Sequence, residues 1–227
     1  PSKLDAIVTM LATRAAGETI DAAEIEAIVG AARRDEPRAG AAVAVLPLFG
    51  VISHRAGGLK ESSGGTSTEK FKRAFIEQVN NPQVKTIVLD VDSPGGSVYG
   101  IEEMAALVRE AAAKKPVIAV ADSLMASAAY YVASGASEIV ASPSSEIGSI
   151  GVLAIHYDLS SQNEMLGIKP TLIKAGKFKA EGASDFPLDD VASRHIQEDV
   201  DRYYGMFISA VAKGRGVSVA TVRNGFG

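Results

Sequence analysis

The chain has 227 residues, 47% hydrophobic and 22% charged, the balance of a soluble globular protein long enough for one sizeable core. Its net charge of -4 gives no electrostatic case for nucleic acid or an anionic membrane, and the absence of cysteine excludes disulfides, thiol catalysis and cysteine-ligated metal within it. No apolar run reaches the roughly 18 residues that span a bilayer, and the first residues lack a charged-then-apolar signal pattern, so a soluble, cytoplasmic protein without a membrane partner is expected.

In chain order, the pattern predicts two short amphipathic helices over 4–14 and 21–33, the second opened by Asp21 with Glu24 three residues on. A Pro/Gly/Ala linker over 36–41 separates this helical arm, residues 1–40, from a domain over 41–227. A buried strand follows over 42–52, then a Gly/Ser-rich loop over 54–68. From there strands and helices alternate: helix 67–80, strand 84–91, helix 98–114, strand 117–121, helix 127–134 and strands 138–141 and 150–157. A short helix over 159–166, a strand over 171–174, a polar stretch over 176–185, a long helix over 189–213 and a last helix over 219–224 complete the chain. Near-continuous apolar strands alternating with helices predict an α/β fold, with a mostly parallel sheet covered by helices.

Two corners of this sheet carry the chemistry. At the first, the strand over 116–121 leads through small residues to Ser127, where a helix starts. A hydroxyl is thus held at a strand-to-helix turn, beside helix N-terminal amides able to stabilise an oxyanion. The second is the turn Asp90-Val-Asp-Ser-Pro-Gly-Gly-Ser-Val98, also between a strand and a helix. Singly, a serine at a helix start is usually a cap and a Pro-Gly-Gly run usually a turn. Spaced by one βα unit, they suggest a nucleophile with its oxyanion hole, hence a serine hydrolase.

The run Ser-Pro-Gly-Gly-Ser over 93–97, Ala-Ser-Ala-Ala-Tyr-Tyr over 126–131, Gly-Ser-Ile-Gly-Val over 148–152 and Lys-Ala-Gly-Lys-Phe-Lys over 174–179 resembles, in order and spacing, the signal peptide peptidase (SppA) family of serine peptidases. That family has the ClpP/crotonase-like fold, and the resemblance covers about 42–211. It implies Ser127 as nucleophile and Lys179 as general base. A serine hydroxyl attacks only once a base takes its proton, and lysine accepts one only when neutral, a state favoured by burial or a neighbouring cation. Lys177 and Lys179, two apart, would share one face of an extended segment. The rate is expected to rise towards alkaline pH.

Histidine is the competing base, as in ClpP-type enzymes. Its place on the strand after the nucleophile helix falls near Gly151 and Val152, which cannot serve; His156 lies beyond it out of register, and His54 and His195 fit less well. With no metal-ligand spacing among these histidines, neither metal nor cofactor is expected. The amides of Gly96 and Ala128, with Gly95 beside them, are the expected oxyanion donors. The resemblance implies an extended polypeptide substrate lying along Ser97, Val98, Gly148, Ser149, Ile150 and Gly151. Ala126, Ala128, Ala129 and Gly148 imply a modest S1 pocket.

The soluble arm, in place of a membrane anchor, and the 174–182 stretch look more like the phage capsid (prohead) protease branch. Its members act in the host cytoplasm on scaffold and capsid precursors. A homo-oligomeric ring with sites near subunit boundaries is expected on the same ground. The alternatives are peptide degradation of the signal peptide peptidase kind, a crotonase-like acyl-CoA enzyme using the two amide turns, or a non-catalytic assembly module. Relatives continue past the helix near 219–224, so the domain is expected to be C-terminally incomplete at Gly227, through trimming or self-processing.

Overall fold

The computed structural model describes residues 38–39, 43–55 and 64–225. The two expected N-terminal helices, part of the Gly/Ser-rich loop and the last two residues lie outside the described residues. The described chain divides into two compact units, one running to Ile150 and resuming at Phe207, the other Gly151–Met206.

The first unit is built on a sheet. Strand β1 (Arg38–Ala39) runs antiparallel to β2 (Val43–Ser53). The other pairings are parallel: β2 with β3 (Thr66–Ser67) and β4 (Thr86–Gly96), and β4 with β5 (Val117–Ala126). β5 then pairs with two strands in succession. Its first half takes β6 (Glu138–Ala141) through Ile118–Ala121, and its last residues take β7 (Glu146–Gly148) through Leu124–Ala126. A mostly parallel α/β sheet is therefore present, as the alternation predicted.

The faces of the sheet differ. Ala44, Leu46 and Leu48 on β2, Ile87, Leu89 and Val91 on β4, and Val117, Ala119 and Ala121 on β5 are buried. Their neighbours Val45, Val88, Asp90 and Val120, pointing the other way, are only half-buried. The core continues into Phe75 of α1 (Thr68–Asn80), Met104 and Val108 of α2 (Ile101–Ala112), and Val132 of α3 (Ala128–Ala133). Ser67 caps α1 through its hydroxyl, as a serine at a helix start should. Lys115 closes the other end, its ammonium donating to the carbonyls of Gln78, Asn81 and Val84.

Two strands run further than expected. The Ser-Pro-Gly-Gly chemistry reads as a turn, yet β4 stays in the ladder with β2 to Gly96, past a register shift between Phe49 and Val51, and β5 continues to Ala126. Conversely, the strands expected over 150–157 and 171–174 are absent from the described residues. Apolar alternation supplies a face but no ladder, and β7 occupies the end of β5.

The second unit holds α4 (Ser160–Met165) and the run of turns over 177–182. The long helix α5 (Asp190–Arg215) starts there and ends in the first unit, which also holds α6 (Val219–Gly225). No helix among the described residues is long and apolar enough to cross a membrane.

Candidate active site

Ser127 stands between the end of β5 and the start of α3, with φ 51° and ψ -122°. It and Ser149 are the two non-glycine residues with positive φ among those described. Such a conformation persists only where its surroundings hold it. Here the Ser127 N–H donates to Gly148 O (2.8 Å), and Ser127 O accepts from the Tyr131 N–H (2.9 Å). The side chain makes no capping bond to the helix it opens, so the commonplace role of a helix-start serine is not the one it fills.

The glycine corner lies against it. A Cβ built on Gly95 would come within 2.7 Å of Ser127 Cβ and 2.8 Å of Ala128 N, and one on Gly96 within 2.0 Å of Ile52 O. Neither position admits a side chain. Ser93, fully buried, ties the corner down: its hydroxyl donates to Gly50 O (2.6 Å) and accepts from the Gly95 N–H (3.1 Å). The Gly95 amide is thereby engaged, and the Ser97 N–H is taken by Ile52 O (2.9 Å). Of the expected oxyanion donors this leaves Gly96, and Ala128 as the first residue of α3, whose amide has no partner within the helix.

The strands thus bring Gly95, Gly96, Ser97, Ser127, Ala128 and Gly148 together. Register pairs Ser93 with Met125 and Ala126 with Gly148. Val98 follows half-buried, while Ser149 is exposed and Ile150 buried. Gly151 opens the other unit and is exposed.

Sequence reasoning assigned no role to the groups bracing α3. The Tyr131 hydroxyl donates to Glu102 Oε2 on α2, and its ring stacks on Phe207 of α5 at 4.4 Å. Burial, with Glu102 adding to it, raises this hydroxyl far above the ordinary tyrosine range. Arg215 donates to the carbonyls of Ser134 and Ala136, capping the C-terminal end of α3. The only signals were a tyrosine one helical turn after Ser127 and an arginine at the end of α5, which are also ordinary core and surface features.

Lys179 lies in the second unit, on turns rather than on the extended segment expected. Its N–H reaches Gly176 O at 3.4 Å, with Gly176 at φ 95° turning the chain. The two lysines therefore do not share one strand face; Lys177 Nζ instead sits 5.0 Å from the centre of the Phe178 ring. The Lys179 ammonium makes no hydrogen bond or ion pair among the described residues. Each histidine has a local partner: His54 Nδ1 lies 3.3 Å from Thr68 Oγ1, His156 Nε2 3.4 Å from Ala183 O, and His195 Nδ1 2.9 Å from Glu181 Oε2.

A family model, Peptidase family S49, matches residues 109–225, which include both Ser127 and Lys179. The chain belongs to peptidase family S49. Among its relatives, the head-tail preconnector protein GP5 of Enterobacteria phage P21 is 33% identical over 180 residues, 79% of this chain and 36% of that protein. Capsid assembly protease C of Escherichia phage lambda is 32% identical, with 79% and 41% covered. A putative signal peptide peptidase SppA of Enterococcus faecium is 32% identical over 157 residues, covering 66% of this chain and 45% of the relative. This S49 chain thus spans between 36% and 45% of the length of these three relatives.

Proposed function

We propose that this S49 chain is the catalytic region of a serine endopeptidase with a Ser-Lys dyad. The observation that carries the reading is Ser127 in its positive-φ conformation, packed against a glycine corner that admits no side chain. Ser127 Oγ attacks the scissile carbonyl while its proton passes to the neutral amine of Lys179. The resulting oxyanion is held by the amides of Gly96 and Ala128. Collapse expels the amine half of the substrate, which takes the proton back from the Lys179 ammonium, and water then hydrolyses the acyl-serine ester. The substrate is an extended polypeptide pairing its backbone alongside Ser97 and Val98 on one side and Gly148 to Gly151 on the other.

Similarity to phage assembly proteins favours capsid or scaffold precursors as substrates, met in the host cytoplasm or the assembling prohead. A ring of copies, with sites near subunit boundaries, and an N-terminal arm over 1–40 belong to the same reading.

The test is cleavage of a candidate scaffold protein by wild type, Ser127→Ala and Lys179→Ala. Both variants should fold, and both should lose several orders of magnitude in rate. Retention of wild-type rate by either removes that residue from the dyad. Turnover of a CoA thioester without labelling of Ser127 by a fluorophosphonate would replace the peptidase reading altogether.

A further inference from the structure

We propose that Phe178, Glu181 and His195 form a clamp that sets the position of Lys179, acting as positioning residues for the proton transfer assigned to that lysine, on whose assignment the proposal rests. The backbone around Lys179 is loosely held by its own bonds. Lys179 N–H to Gly176 O is 3.4 Å, Glu181 N–H to Phe178 O 3.3 Å and Ala183 N–H to Ala180 O 3.2 Å, all longer than the usual 2.9–3.0 Å. Turns of this quality do not fix a side chain, so its position must come from elsewhere.

The residue before Lys179 and the residue two after it converge on one side chain of α5. His195 Nδ1 lies 3.0 and 2.9 Å from the two carboxylate oxygens of Glu181. The Phe178 ring meets the same imidazole edge-on, 4.9 Å between centres at 78°. Gly182 approaches Ile196, the next residue of α5, where a Cβ would lie 3.8 Å from Ile196 Cδ1. The far end of the loop is tied to the other side, with Leu159 N–H on Ser184 O (2.8 Å) and Asn163 Nδ2 on Asp185 Oδ1 (3.0 Å). The Glu181 side chain is 23% exposed and that of His195 40%, so their bond is partly shielded from water. Lys177 is drawn onto the Phe178 ring, which leaves Lys179 as the neighbouring lysine free to act.

The experiment is steady-state cleavage by wild type, His195→Ala, His195→Gln, Lys179→Ala and the Lys179→Ala/His195→Ala double variant. His195→Ala should lower kcat by about tenfold with KM changed less than about twofold. His195→Gln, whose amide still donates to Glu181, should recover most of that loss. In the Lys179→Ala background, His195→Ala should cost nothing further, because the clamp acts through the lysine. Equal losses with and without Lys179 would overturn the proposal, as would wild-type kcat in His195→Ala beside an inactive Lys179→Ala. Wild-type rate in Lys179→Ala would instead bring down the base assignment, and the clamp with it. Should His195→Ala fail to fold, Phe178→Leu, a change at a half-exposed ring, takes its place in the same comparison.

Discussion

Ser127 illustrates how much one backbone conformation constrains. A non-glycine residue held in such a region costs about 1–3 kcal/mol, and glycine adopts it without that penalty. Since the Ser127 side chain caps nothing, its removal forfeits no helix bond. Ser127→Gly should therefore be more stable than wild type by about 1 kcal/mol, after roughly 0.5–1 kcal/mol for the greater freedom of unfolded glycine, and should cleave nothing. Thermal melts beside a cleavage assay measure both, and a lower Tm for Ser127→Gly would show that the strain is not there. The sequence made Ser127 legible because small residues cluster at a strand-to-helix boundary. It could not reveal that Ser93 consumes the Gly95 amide, since that bond depends on a hydroxyl meeting a backbone folded back beside it.

Among the elements, β4 and β5 show where pattern and ladder part company. Hydrophobicity located both strands, and missed their last residues because Ser93, Gly95 and Gly96 end the apolar run in β4 and Asp122 and Ser123 interrupt it in β5. The segment over 150–157 fails the opposite way: its side chains suit a strand, but pairing depends on a neighbour that local sequence does not specify. The half-buried face of β4 carries a further consequence. Burial raises the Asp90 carboxyl above its ordinary range, and the charges of Asp122 and Asp92 add to this. The folded protein binds that proton more tightly than the unfolded chain does. The associated stability is thus complete at low pH and lost as pH rises through the raised value. Asp90→Asn should raise Tm at neutral pH, with the gain shrinking as pH falls through the carboxylate range. Melting curves at neutral and acidic pH measure this, and an unchanged Tm at pH 7 would refute it.

At the scale of the whole molecule, the second unit leaves several large apolar side chains open. Leu153 is 78% exposed, Met165 81% and Ile173 92%, with Ile155, Tyr157 and Leu166 also largely open. Under the proposed ring, a second copy covers these residues. Sedimentation should find an oligomer, and Leu153→Asp with Ile173→Asp should shift it towards monomer and reduce activity together. A fully active monomer would reject the assembly. That the chain forms a parallel α/β sheet was plain in its alternating segments. That Leu153, Met165 and Ile173 stand open was not, because exposed Leu, Ile and Met read in sequence like core residues.

The glycine corner finally bears on how such a site is mapped. Alanine scanning works by subtraction: it deletes side-chain atoms and asks what is missed. At Gly95 and Gly96 there is no side chain to delete, and the proposed oxyanion donors are main-chain groups that every substitution but proline retains. Subtraction therefore passes over half of the machinery, and only changes that add atoms, as alanine does at Gly95 and Gly96, or that replace the amide itself bring it into view.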